Sequence, residues 1–145
     1  MVPLGHHITL DLFDCQCEIA LLDDAIRGEI LINACAKGLN VLDSKKHQFV
    51  PNSYSAILLL EESHLSIHTW VQHRFASMDF YTCTGKVPDD CVHTAIALLK
   101  PKRVVRVDIL RGTTHPVTRT ETDYDVSRPT NFPNSVSEAS DDLSG

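Results

Sequence analysis

From Leu60 to Trp70 the chain reads Leu-Glu-Glu-Ser-His-Leu-Ser-Ile-His-Thr-Trp, a run that sets carboxylates, hydroxyls and imidazoles between apolar segments. Ala56-Ile57-Leu58-Leu59 precedes it and Phe75-Ala76-Ser77-Met78 follows, so the polar groups join what read as two buried strands. Polar side chains in such a place are either hydrogen-bonded structure or chemistry. His64 and His68 are spaced H-x-x-x-H, which makes a metal pair on a helix; on a strand they stand roughly 13 Å apart, so no shared metal is expected. Ser63 with His68 offers a nucleophile and a base, but there is neither a G-x-S-x-G elbow nor an ordered acid partner, and a hydrolase triad is weak. Adjacent Glu61 and Glu62 point to opposite sides of a strand and do not form a carboxylate pair on one substrate. Cys83 is either a small hydrophobe or, at a strand end beside polar residues, a proton donor or nucleophile. From spacing alone, a site around Ser63 and His68 and a merely structural polar turn stand level.

The elements that must hold these groups are legible from periodicity. His6 to Cys15 alternates, with Ile8, Leu10 and Leu12 on one face, as a half-buried strand does. From about Glu18 to Lys37, Leu22, Ile26, Ile30 and Ala34 recur at helical spacing, and Gly38 stands where a C-terminal cap belongs. Asn40 to Phe49 is a polar, edge-type strand ended by Pro51-Asn52-Ser53, and Tyr54 to Glu61 is an apolar central one. Leu65 to Trp70 puts Ser66, His68 and Trp70 on one face; Phe75 to Cys83 puts Ser77, Asp79, Tyr81 and Cys83 on one face. Pro88 and Asp89 open a second helix that stops at Pro101, and Val104 to Leu110 is a last strand. This order predicts an α+β two-layer sandwich, a mostly antiparallel sheet with two helices on one face. The other face, where apolar, would favour a dimer.

A chain of 145 residues fits one domain with a single core. Its 43% hydrophobic and 22% charged residues are ordinary for a globular protein. A net charge of −6 with no basic stripe argues against nucleic acid as the main partner, leaving small molecules or protein surfaces. Five cysteines without a C-x-x-C pair suit neither a disulfide framework nor a zinc knuckle, and fit reduced thiols in a cytoplasm. Neither a signal peptide nor a membrane-length apolar run is expected. Beyond Gly112 the apolar periodicity ends, and residues 113–145 read as a polar, disordered tail.

Taken together, Leu4-Gly5-x-His7, Phe49-x-Pro51, Ser55, the run from Glu62 to Trp70, Asp79 and Thr82-Cys83 resemble the bacterial and archaeal S-adenosylmethionine decarboxylase proenzymes, over about residues 4 to 112. That resemblance implies self-cleavage between Glu62 and Ser63: the Ser63 hydroxyl attacks the Glu62 carbonyl, an ester forms, and His68 removes the Ser63 α-proton. Elimination and hydrolysis then leave a pyruvoyl group at the head of an α chain, with residues 1–62 as the β chain. The pyruvoyl ketone would serve as the cofactor, taking a substrate amine as a Schiff base and accepting the electrons released with carbon dioxide. Cys83 matches the residue that reprotonates the product carbanion, and Ser55 one that assists processing by hydrogen bonding near the ester. Phe49 is a candidate for stacking on a base or facing a sulfonium, or else an ordinary core phenylalanine.

The chain departs from the family after Trp70. Members acting on S-adenosylmethionine usually continue Pro-Glu-Tyr-Gly, with the Glu on the ribose hydroxyls; this chain has Val71-Gln72-His73-Arg74. Gln72 keeps an acceptor but loses the charge, and Arg74, pointing inward, would oppose a sulfonium. The resemblance therefore implies a cytoplasmic pyruvoyl-dependent decarboxylase of polyamine synthesis, a homodimer of αβ protomers taking an amino-acid-type small molecule. S-adenosylmethionine stands first as substrate, with L-ornithine or L-arginine as the alternative and a non-catalytic regulatory homologue as a further one. Neither a metal, a nucleic acid nor a membrane is expected to take part.

Overall fold

Alternation in Gly5–Phe13 (β1) sends Ile8, Leu10 and Leu12 into the core and His7, Thr9 and Asp11 to the opposite side, and the sheet is built outward from this strand. The computed structural model describes residues 3–83, 87–112, 118–126 and 137–140. The other strands are Val41–Gln48 (β2), Tyr54–Leu60 (β3), Ser63–Trp70 (β4), Phe75–Thr82 (β5), Arg103–Arg111 (β6), Thr118–Asp125 (β7) and Ser137–Ser140 (β8). They form one antiparallel sheet in the order β2-β3-β4-β5-β1-β6-β7-β8. Helices Ala20–Asp23 (α1), Ala25–Cys35 (α2) and Asp89–Leu99 (α3) bury their apolar sides in a single core with one face of this sheet. The α+β two-layer sandwich predicted from the element order is the fold observed.

Residues 18–37 are not one helix. Asp24 is extended (φ −95°, ψ 114°) and its carboxylate accepts from the Ile26 N–H, capping α2 after the single turn of α1. The buried side of α2 is also not the predicted one: Ala25, Gly28, Leu31, Ile32 and Cys35 face inward, while Ile26 and Ile30 are 62% and 64% exposed. Gly28 lies against the ring of buried Tyr54, where any side chain would collide, so the helix presents its small residues to the sheet. The Tyr54 hydroxyl donates to the Leu21 carbonyl at 2.6 Å and Thr69 Oγ1 to that of Leu22 at 2.7 Å, which pins α1 to β3 and β4.

The predicted tail is also partly sheet. Thr118–Asp125 pairs with β6 from Leu110↔Thr118 to Arg103↔Asp125, and Ser137–Ser140 pairs with β7. The alternation Thr-Arg-Thr-Glu-Thr-Asp-Tyr-Asp carries little apolar area, but it suits an outer strand that gains backbone hydrogen bonds and cross-strand pairs. Arg103 donates to both oxygens of Asp123 at 2.9 and 2.8 Å, and Thr122 is buried. Residues 113–117, 127–136 and 141–145 of the predicted tail lie outside the described residues.

Among the described residues, the face of the sheet opposite the helices is uncovered and mixed. Ile57, Leu59 and Trp70 stand exposed on it, and Phe75 lies between the rings of Phe13 and Trp70 at 5.0 and 5.4 Å. Among the described residues no helix is long and apolar enough to cross a membrane.

Candidate active site

Strands β3 and β4 join through two residues, Glu61 and Glu62, with Leu60 opposite Ser63. So short a hairpin requires left-handed backbone, and Glu62 supplies it at φ 62° without being glycine, a strain of about 1 to 3 kcal/mol. The turn is held from both sides. Glu61 N–H donates to the Asn40 carbonyl at 3.1 Å, and Asn40 Nδ2 to Glu61 Oε2 at 3.0 Å. The Glu62 carbonyl oxygen accepts from Cys83 twice, from the backbone N–H at 3.0 Å and from the thiol at 2.8 Å. Cys83 reaches it because β5 pairs with β4 as Ser63↔Thr82, which leaves the next residue of β5 beside the turn. Ser63 Oγ lies 3.4 Å from the Glu61 carbonyl oxygen, and Glu62, Ser63, Tyr81, Val87 and Cys91 help line a cavity of about 340 Å³.

The remaining predicted residues gather at the other end of the same strands. Ser55 and His68 are directly opposed on β3 and β4, with Ser55 Oγ 2.7 Å from His68 Nδ1 on the uncovered face. Phe49 is 45% exposed and packs edge-on against His47 at 4.7 Å. Ser53 links it to the segment after Trp70: its carbonyl accepts from Phe49 N–H at 2.9 Å, and its hydroxyl from Val71 N–H at 3.0 Å. Gln72 is exposed in the 3₁₀ turn Val71–His73. Ser63 and His68 are five residues apart on one extended strand, roughly 16 Å. One chain therefore brings together Glu62, Ser63 and Cys83, and separately Ser55 and His68, with Phe49, Trp70 and Gln72 toward the same end of the strands, but does not bring His68 to Ser63.

Arg74 does not point inward. Its guanidinium donates to the carbonyls of Cys15 at 2.9 Å and Cys17 at 3.4 Å, and its own carbonyl accepts from Cys15 N–H. It holds the loop after β1.

His64 meets not His68 but His7 and Asp79, on three adjacent strands. His7 Nε2 is 2.8 Å and His64 Nε2 3.2 Å from Asp79 Oδ2, while Ser66 Oγ donates to Asp79 Oδ1. Burial alone would raise the Asp79 carboxyl, but the hydrogen bonds from Ser66, His7 and His64 hold it below the usual carboxylate range. Neither this cluster nor the hold of Asn40 on the turn was drawn from the sequence. Strand alternation put Ser66, His68 and Asp79 on outward faces, but only register brings β1 into the group.

The sequence model of the family described as S-adenosylmethionine decarboxylase matches residues 6–112. The S-adenosylmethionine decarboxylase proenzyme of Methanococcus vannielii is 40% identical over 114 residues, which is 77% of this chain and 93% of that protein. That of Persephonella marina is 39% identical over 113 residues, 76% of this chain and 84% of its own. The crystal structure of the adenosylmethionine decarboxylase from Aquifex aeolicus superposes with a TM-score of 0.71 at 30% identity, covering 79% of this chain and 96% of that one. With the family model, the curated relatives and the solved fold in agreement, the chain belongs to the S-adenosylmethionine decarboxylase family.

Proposed function

We propose that this chain is a proenzyme that cuts itself between Glu62 and Ser63, generates a pyruvoyl group from Ser63 and decarboxylates S-adenosylmethionine. The observation that carries the reading is the Glu62 carbonyl, strained at φ 62° and held by two donors of Cys83. When Ser63 Oγ attacks the Glu62 carbonyl carbon, negative charge grows on this oxygen, and donors already aimed at it stabilise that charge without reorganisation. The Oγ–C bond forms, the C–N bond breaks and the Oγ proton goes to the released amine. Loss of the Ser63 α-proton to a base then expels the Glu62 carboxylate, and hydrolysis of the resulting dehydroalanine releases ammonia.

The pyruvoyl ketone, once present, supplies an electron sink for decarboxylation of an amino acid. Ser63 fits the role by position: it heads β4 at the mouth of a 340 Å³ cavity, within the size range of small-molecule sites. Cys83 stands beside it as a proton donor. Arg74, turned away toward Cys15 and Cys17, presents no cation to a sulfonium substrate.

A second copy completes the site. Because His68 stands roughly 16 Å along β4 from Ser63, the base and its partner Ser55 come from another chain. A two-fold pairing of uncovered sheet faces would lay the Phe49, Ser55 and His68 end of one chain over the end of its partner's sheet that carries the Glu62–Ser63 turn. The exposed Ile57, Leu59 and Trp70 supply apolar area for such a contact. The working form is thus a homodimer of αβ protomers, a polyamine-pathway enzyme of the cytoplasm that keeps its thiols reduced.

The test is cleavage followed by turnover. Intact mass after incubation should show two chains divided at residue 63, and Ser63→Ala should give only the uncleaved 16.1 kDa chain. Carbon dioxide release should occur from S-adenosylmethionine and not from L-ornithine or L-arginine. A wild-type chain that stays whole would end the processing reading, and release from ornithine alone would end the substrate assignment.

A further inference from the structure

We propose that His7, His64 and Asp79 form a binding site for a transition-metal dication of the zinc type. Their ligand atoms, Nε2, Nε2 and a carboxylate oxygen, all lie within 4.8 Å of one another. His7 Nε2 and His64 Nε2 stand 2.8 and 3.2 Å from the same Asp79 oxygen. Bonds of about 2.0 to 2.2 Å in a tetrahedral ion put neighbouring ligand atoms roughly 3.3 to 3.6 Å apart, so modest side-chain shifts convert the hydrogen-bonded cluster into three metal ligands. In that conversion each ring proton moves from Nε2 to Nδ1, freeing the Nε2 lone pair.

Three further observations favour an ion over a bare hydrogen-bonded cluster. The ligands stand on β1, β4 and β5, three neighbouring strands, so their backbone positions are fixed by sheet register. Ser66 holds the second oxygen of Asp79, and His64 stacks on Tyr81 at 5.6 Å while His7 meets the same ring edge-on at 5.5 Å, the outer support that orients metal ligands. In the single chain the three side chains keep part of their surface, 19% exposed at His7, 35% at His64 and 25% at Asp79, so the three ligands do not enclose the ion and a fourth position is left. Two imidazoles and one carboxylate select zinc, cobalt or nickel rather than magnesium or calcium.

The placement gives the ion a task, one that rests on cleavage at Glu62-Ser63. After that cut His7 belongs to the β chain, while His64 and Asp79 belong to the α chain, and His64 is the second residue of the new terminus. An ion shared by these three would tie the freed end of β4 to β1 and hold residue 63 at the cavity.

The experiment uses full-length chain carrying Ser63→Ala, so that metal uptake is read independently of cleavage. Cobalt(II) titration at pH 7.5 should give one ion per chain with the intense visible bands of four-coordinate cobalt, displaced by zinc. His7→Ala, His64→Gln and Asp79→Asn should each weaken uptake at least tenfold, with circular dichroism unchanged, while His93→Ala, an exposed imidazole on α3, binds as the parent does. Absence of stoichiometric uptake at micromolar protein, or uptake indifferent to His64→Gln and His7→Ala, overturns the site. Failure of the wild-type chain to cleave, with uptake intact, would instead count against the processing reading alone.

Discussion

The carbonyl oxygen of Glu62 accepts from Cys83 at two atoms, the thiol at 2.8 Å and the backbone N–H at 3.0 Å. Only the thiol can be removed by substitution, and a thiol is a weak donor. Cys83→Ala should therefore slow self-cleavage by about tenfold, below the hundredfold or more lost with a strong oxyanion donor. Cys83→Ser should restore most of the rate, as read from disappearance of the uncleaved band after cell-free synthesis. Whatever Cys83→Ala protein does process should release carbon dioxide slowly; full turnover would remove Cys83 from proton donation.

The separation of Ser63 from His68 makes a prediction about mixed dimers. His68→Ala alone should remain uncleaved, and so should Ser63→Ala. Co-expressed, the two should form heterodimers in which the Ser63 of one chain meets the His68 of the other, so the His68→Ala chain is cut. Mass spectrometry of the mixture reads this directly. A His68→Ala chain that stays whole in the mixture would place the base within its own chain.

At the altered segment, Gln72 and Arg74 should separate by phenotype. Gln72→Glu creates a charged acceptor for hydroxyl groups, worth about 1 kcal/mol over a neutral one, and should lower KM for S-adenosylmethionine about fivefold. Arg74→Ala removes the bonds to the Cys15 and Cys17 carbonyls. It should cost about 1 kcal/mol of stability in urea unfolding and leave KM unchanged.

The thiols should differ in reactivity. Burial pushes Cys15 and Cys35 up to about 12 and raises Cys17 and Cys91 as well, while Cys83 is exposed. Iodoacetamide at pH 8 should add one carbamidomethyl group per native chain, at Cys83, with the other four labelled only in denaturant. Peptide mapping distinguishes the positions.

Acid should loosen the sheet through two carboxylates. Burial would raise Asp79 and Asp108, but hydrogen bonds outweigh it and lower both, from Ser66, His7 and His64 at Asp79 and from His6 and Arg106 at Asp108. A carboxyl lowered by folding contributes its full stability above its unfolded pKa, about 3.9, and loses it as pH falls through the folded value. Urea midpoints of the Ser63→Ala chain should therefore drop below about pH 4. Adding Asp79→Asn and Asp108→Asn should flatten that limb while lowering stability at pH 7.

What the sequence determined by itself was local. Two-residue alternation put Ser66, His68 and Trp70 on one side of β4, because side chains in a strand cannot do otherwise. Pro88 and Pro101 bracketed α3, since one starts a helix without losing a hydrogen bond and the other cannot continue it. The motif from Glu62 to Trp70 was specific enough to indicate the family.

Tertiary structure decided what depends on neighbours. Ile26 and Ile30 have the spacing of a buried stripe, yet Gly28 faces inward because the Tyr54 ring leaves room for nothing larger. The strand period already separated Ser63 from His68, but only the register of β4 with β5 put Cys83 on the Glu62 carbonyl. Register likewise joined His7 to His64 and Asp79, and turned a polar stretch after residue 117 into β7. Pairing partners far apart in sequence are chosen by the whole sheet's packing and hydrogen bonding, a sum over many strands that no single stretch contains.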